Sequence, residues 1–183
     1  MRTEVRFAGD GGQGLVIAGI VLAEAAGVHA GHHVSQSQFY APVIVGGPSY
    51  ADVIVSDSEL AFPWGVRPHV LVALTQRSFN HFASRTADDA LVLADPARVP
   101  ERDAAGRRVV SLPAVAMAER AGAAKAANMA CVAVVAALTG VATLEHVERA
   151  IEARTPSRLL AVNRRAAAEG WSYAQGLRSR GEA

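Results

Sequence analysis

The sequence predicts an α/β protein, a doubly wound and mostly parallel sheet with helices on both faces and a helical C-terminal segment. Three observations carry this expectation. Residues 69–74 (His-Val-Leu-Val-Ala-Leu) and 90–94 are continuous apolar runs of strand length, which suit central strands covered on both sides. Strand-like and helix-like segments alternate through the first two thirds of the chain. Beyond Pro113 the pattern is helical only.

The elements follow in order. Val5-Arg6-Phe7-Ala8 ends a first strand, and Gly9-Asp10-Gly11-Gly12-Gln13-Gly14 is a glycine-rich turn. Residues 15–26 are aliphatic or good helix formers on every face, with Glu24 the only charge, and Gly27 and Gly31 close the segment. Residues 34–39 alternate weakly as a second strand. A loop with Pro42, Gly46, Gly47 and Pro48 leads into a third strand over residues 51–55, ending at Asp57. The two apolar runs are each followed by a turn or helix start, at Thr75 and at Asp95-Pro96. Residues 107–111 read as a last, more exposed strand. Helices are expected over 114–120, 125–138, 144–153 and 159–169, the third with Thr143 as N-cap and Glu145 in its first turn.

A chain of 183 residues with 51% hydrophobic content suits one domain with a sizeable core, expected over residues 1–177, and a frayed tail over 178–183. The net charge of +1 and the scattered basic pairs, Arg107-Arg108 and Arg164-Arg165, exclude a basic stripe or arm for nucleic acid. One cysteine, Cys131, excludes an internal disulfide and a self-contained iron–sulfur cluster, and it fits a reducing compartment. The longest apolar stretch, residues 126–142, is Ala-rich, contains Asn128, Thr139 and Gly140, and falls short of a span of ~20 residues. A soluble, cytoplasmic protein with no membrane association is the expectation. The helices over 15–26 and 126–138 are apolar over more surface than one sheet face covers, which predicts a homo- or hetero-oligomer.

Gly9-x-Gly11-x-x-Gly14 between strand and helix has the form of the dinucleotide fingerprint. Small residues let the backbone approach a phosphate while the helix start supplies N–H donors and a positive dipole. Gly9, Gly11, Gly12, Gln13 and Gly14 are therefore the candidate cofactor-binding residues, with Gln13 offering a side-chain donor. A nicotinamide site also wants an acid after the second strand, and Val34-Ser35-Gln36-Ser37-Gln38 has none. A tight turn that packs helix on strand explains the same residues, and both readings stand. Gly9-Asp10-Gly11 also resembles the start of a thiamine-diphosphate motif, but no Asn occurs between Asp10 and Asn80 to complete it. His29, His32 and His33 cluster without a carboxylate or cysteine nearby in sequence, so no metal site is expected. Cys131, in an Ala/Val-rich helix, reads as a small core residue. No residue is singled out as catalytic.

Taken together, the ordered segments resemble the gamma subunit of 2-oxoacid:ferredoxin oxidoreductases, and the equivalent subunit of indolepyruvate oxidoreductase is similar. The resemblance rests on residues 7–14, Ala18-Gly19, residues 22–26, Gln36-Ser37-Gln38, Tyr40, Pro42, Gly46-Gly47 and residues 51–57. It continues in Lys125, Asn128-Met129, the following Ala-rich helix, and Val162-Asn163 before residues 166–170. It implies a complex that decarboxylates a 2-oxoacid on thiamine diphosphate, passes the acyl group to coenzyme A, and sends electrons through iron–sulfur clusters to ferredoxin. Thiamine-binding alpha- and beta-type subunits and a ferredoxin-like subunit would be the partners. This chain alone would hold no cofactor, and within the complex it would contact coenzyme A or thiamine diphosphate. Gln38, Tyr40, Gly46 and Gly47 would be ligand or subunit contacts. One departure stands out: the family carries an acid and an arginine before the paired glycines, where this chain has Val43 and Val45, and Ala41 replaces a glycine. A free-standing nucleotide-binding protein and a purely structural subunit are the alternative readings.

Overall fold

The computed structural model describes residues 1–39 and 48–182. The elements run β1 (Arg2–Gly9), α1 (Leu15–Glu24), a π-helical turn (Ala25–His29), β2 (His33–Phe39), β3 (Ser49–Ser56), β4 (Val70–Ala73), α2 (Gln76–Phe82), β5 (Leu91–Ala94), β6 (Arg108–Ser111), α3 (Ala114–Ala121), α4 (Ala127–Thr139), α5 (Leu144–Arg154) and α6 (Ser157–Ser179). Short 3-10 turns follow α2 and precede α4. The six strands form one sheet in the order β2-β3-β1-β4-β5-β6.

β1, β4, β5 and β6 pair in parallel, as their apolar runs predict. β3, whose direction the expectation of a mostly parallel sheet left open, is the exception. It inserts antiparallel between β2 and β1, pairing Arg6 with Asp52 on one side and Ser37 with Asp52 on the other. An internal strand buried on both faces has the same apolar signature whichever way it runs, so direction was not legible in residues 51–55.

The sheet separates two cores. On one face Val5, Phe7, Val53, Val72 and Leu93 share a single apolar cluster with α1, α3, α4, α5 and α6. On the other, Ala8, Leu71, Ala73, Val92 and Ala94 pack with Phe79 and Phe82 of α2. Alternation along each strand assigns these residues to opposite sides.

α4 is buried at every position from Asn128 to Ala137. Its neighbours are α1, α3, α5 and above all α6. Its all-round apolar surface, which led to the expectation of an oligomer, is therefore covered within the chain. α6 also runs ten residues past the expected end at Glu169. Gly170 does not break it, because a side chain there would overlap the backbone of Ala130 and the two helices approach closely instead. Arg178 and Ser179, placed in the tail by their sequence, lie in this helix. Leu177 is buried, and the Arg178 guanidinium donates to the Leu138 carbonyl at 3.3 Å. No helix is long and apolar enough to cross a membrane among the described residues.

Candidate functional site

The glycine turn sits at the C-terminal end of β1, beside the C-terminal end of β4. The chain leaves β1 toward β3 and β2 and leaves β4 toward β5, so the two connections diverge here, the position where α/β sheets open a crevice. Gly12 and Gly14 hold φ values of 86° and 72°, which side chains rarely adopt. Gly14 is the N-cap of α1, and Ala18 N–H donates to its carbonyl at 3.0 Å. Added methyl groups at Gly11 and Gly12 would meet nothing within 4 Å, so this stretch of backbone is open to a ligand. Gly9 is buried and closed: a side chain there would overlap the Gln13 amide.

Gln13 does not point its donor outward. Its Oε1 accepts from Asp10 N–H at 2.7 Å, and its Nε2 donates to the Leu74 carbonyl at 3.4 Å. The side chain braces the turn against β4. Asn128 braces it from the other side, donating from Nδ2 to the Gly14 carbonyl at 3.2 Å. Both polar residues work as fasteners, and the exposed part of the turn is Asp10, Gly11 and Gly12.

Two cations that sequence reasoning did not single out as ligand groups line the crevice. Gly12, Gln13, Leu74, Arg98, Val115 and Lys125 border a cleft of about 170 Å³. Arg98 is carried on a turn pinned by Asp95, whose carboxylate accepts from Ala97 N–H and from Val115 N–H, both at 3.0 Å. Lys125, the only lysine, stands on the 3-10 turn before α4. Its uniqueness was visible in the sequence; its approach to the glycine turn, more than a hundred residues away, was not. Both cations are exposed. The cleft can accept an anionic group between side-chain cations and the open glycine backbone.

The remaining candidates fall elsewhere. Gln38 is exposed at the end of β2. Tyr40, Gly46 and Gly47, together with the Val43 and Val45 departures, lie outside the described residues. Among the histidines, the fold brings a carboxylate to two separately: Glu24 lies 3.9 Å from His29 and Asp57 lies 3.2 Å from His32. Glu24 stands five residues before His29 in sequence, whereas Asp57 is brought to His32 only by the fold. No group of three metal-ligating side chains occurs among the described residues. Cys131 is fully buried, and burial pushes its thiol far above the usual range, which removes thiolate reactivity.

A second polar cluster lies on the α2 side of the sheet. Arg6 and Asp52, directly opposite on β1 and β3, form a two-pronged ion pair at 2.7 and 2.6 Å. The guanidinium also lies over the Tyr50 ring at 4.2 Å and the Phe82 ring at 4.8 Å. Burial holds the Asp52 carboxyl above its ordinary range, against the pull of Arg6.

Known proteins bear directly on this geometry. Residues 4–173 match the family described as pyruvate ferredoxin/flavodoxin oxidoreductase. The 2-oxoglutarate synthase subunit KorC of Methanothermobacter marburgensis is 35% identical over 85% of this chain and 88% of its own. The ketoisovalerate oxidoreductase subunit VorA of Methanothermobacter thermautotrophicus is 37% identical over 73% of this chain but only 28% of its own. The crystal structure of a keto/oxoacid ferredoxin oxidoreductase gamma subunit from Geobacter sulfurreducens superposes with a TM-score of 0.84 at 31% identity, covering 95% of this chain and 99% of that one. With the match running through both the glycine turn and the helical layer that braces it, the chain belongs to the pyruvate ferredoxin/flavodoxin oxidoreductase family, as a subunit of the gamma type.

Proposed function

We propose that this chain serves a thiamine-diphosphate-dependent 2-oxoacid:ferredoxin oxidoreductase by forming one wall of the site where the acyl group passes to coenzyme A. The observation that carries the reading is the cleft itself, where Arg98 and Lys125 flank an open stretch of glycine backbone. Coenzyme A bears phosphates, and cations beside N–H groups at a helix start suit them. A cleft of about 170 Å³ is too small for a whole cofactor, for which pockets of ~300–1,000 Å³ are usual. The rest of the ligand would therefore rest on other subunits.

Thiamine diphosphate fits this chain poorly. Asp10 is exposed on the turn and is the only carboxylate among the described residues that line the two cavities beside it, so no second acid shares a magnesium with it. The only cysteine is sealed in α4, out of reach of an iron–sulfur cluster. Alpha- and beta-type thiamine-binding subunits and a ferredoxin-like subunit would supply these groups. A single cysteine leaves no internal disulfide to form, which agrees with work in the cytoplasm.

In the assembled complex, Lys125→Ala combined with Arg98→Ala should raise the KM for coenzyme A about tenfold or more, since charge-assisted hydrogen bonds contribute ~1.5–3 kcal/mol. The KM for the 2-oxoacid should stay put. An unchanged coenzyme A KM in a complex that still assembles would remove the wall from the site.

A further inference from the structure

A second cleft lies beside the first, and Lys125 borders both. It opens between α1 and the turn before α4 on one side and the corner joining α5 to α6 on the other, with a volume of about 200 Å³. Ile17, Met129, Leu159 and Val162 make its lining chiefly apolar. Its polar groups are few. Asn128 is committed to the Gly14 carbonyl, and Asn163 Nδ2 donates to Thr155 Oγ1 at 3.4 Å, which leaves Lys125 and Arg154 as the charged pair. Among the described residues no acid lines either cleft. An apolar lining with a few convergent polar groups is the usual make-up of a small-molecule site.

Arg154 is held in a way that leaves its binding end free. It closes α5, and its Nε donates to Glu24 Oε2 on α1, 130 residues earlier in the chain. The Glu24 side chain is only 9% exposed, so the anchor is a shielded one. The two terminal nitrogens of the guanidinium form no hydrogen bond among the described residues. A guanidinium fixed through Nε keeps a planar, two-pronged face that matches a phosphate, which a lysine does not offer. Glu24 balances the charge of Arg154. The attraction for an anion therefore comes from Lys125, and Arg154 supplies the geometry.

We propose that the second cleft takes the adenosine 3′-phosphate end of coenzyme A: the purine ring lies against Ile17, Met129, Leu159 and Val162, and the 3′-phosphate meets the terminal nitrogens of Arg154. The proposal rests on the reading of the first cleft, where Arg98, Lys125 and the glycine backbone receive the pyrophosphate. Both phosphate groups of coenzyme A leave the same ribose, so they stand one sugar apart. Lys125, which borders both clefts, is shared between them. What the first cleft cannot hold is then divided: the nucleoside stays on this chain, and the thiol arm is left to other subunits. Arg154 is thereby the residue that distinguishes coenzyme A from a nucleotide without the 3′-phosphate.

The test is calorimetry on the assembled complex with adenosine 3′,5′-bisphosphate and adenosine 5′-monophosphate, which differ only in the 3′-phosphate. The bisphosphate should bind about tenfold more tightly or better. Arg154→Gln should remove that preference and leave the monophosphate affinity in place. Because Glu24 loses its partner in that variant, Arg154→Lys, which keeps the charge and removes the fork, is measured beside it and should shrink the preference several-fold. Leu159→Ser should weaken both nucleotides alike. Arg98→Ala, in the first cleft, should raise the KM for coenzyme A and keep the preference, so the two readings fail separately. An unchanged KM in Arg98→Ala counts against the first cleft, and the Arg154 variants still decide the second. A preference that survives in both Arg154 variants overturns the proposal, as does equal binding of the two nucleotides by the unaltered complex.

Discussion

The two faces of the sheet are built on different principles. The α1–α4–α6 face is apolar throughout, and α4 inside it has no polar side chain between Met129 and Ala137. The α2 face mixes a small apolar cluster with a buried ionic row over β1 and β3: Glu4, Arg6 and Asp52. The first face draws its stability from area, at ~1.5–3 kcal/mol for each large side chain buried. The second depends on partners being present, since an ion pair out of water returns little when complete and costs heavily when broken. The first face therefore needs shape, and the second needs pairing.

The largest expected effect tests the pairing. Asp52→Ala should destabilise the chain by ~3–5 kcal/mol, read from the urea midpoint, because Arg6 is left charged and unpaired under Tyr50 and Phe82. The double replacement Arg6→Met with Asp52→Leu should recover most of that loss. If the double variant is as unstable as the single one, the two faces do not differ in the way described.

Shape is tested next, on the opposite face. Gly170→Ala should cost ~1–3 kcal/mol or more, because the added carbon meets the Ala130 backbone rather than a movable side chain. A neutral result by thermal or urea unfolding would mean that α4 and α6 slide freely, contrary to a face governed by close fit.

The glycine turn lies between the two faces and should respond less. Gln13→Ala removes the brace to Asp10 and Leu74, and two modest hydrogen bonds predict a loss of ~1–2 kcal/mol. Coenzyme A kinetics in the complex should then shift less than in the Lys125 and Arg98 variants, since Gln13 positions the turn and offers no outward donor.

The smallest effect is in pH dependence. The Asp52 carboxyl is held above its ordinary value of 3.8, so the folded chain keeps that proton at a pH where the unfolded chain has lost it. Its contribution to stability therefore falls as pH rises from 3.8 through the raised folded value. Asp52→Asn should flatten this slope in urea midpoints measured across the acidic range, while Gly170→Ala should leave it intact.

Much of the architecture was legible because local patterns carry it. The apolar runs marked β4 and β5, and Thr75 and Thr143 marked helix starts that prove to be capping boxes. The glycine turn declared itself by spacing alone. The residues around it did not. Arg98 is an unremarkable surface cation in sequence and Lys125 is conspicuous only as the single lysine, and only the fold draws their two turns to the end of β1. Gln13 looked like a ligand donor because its partner, the Leu74 carbonyl, lies 61 residues away. Arg6 and Asp52, 46 residues apart, are set face to face only by the antiparallel pairing of β3 with β1.

By itself, then, the sequence determined the elements, the class of sheet and the place of the glycine turn, since periodicity, capping and turn chemistry act over a few residues. Tertiary structure alone decided the direction of β3, the full length of α6 and which cations reach the crevice. Those features depend on contacts between residues far apart in the chain, where the free energy of a position is set by what packs against it and not by its neighbours in sequence.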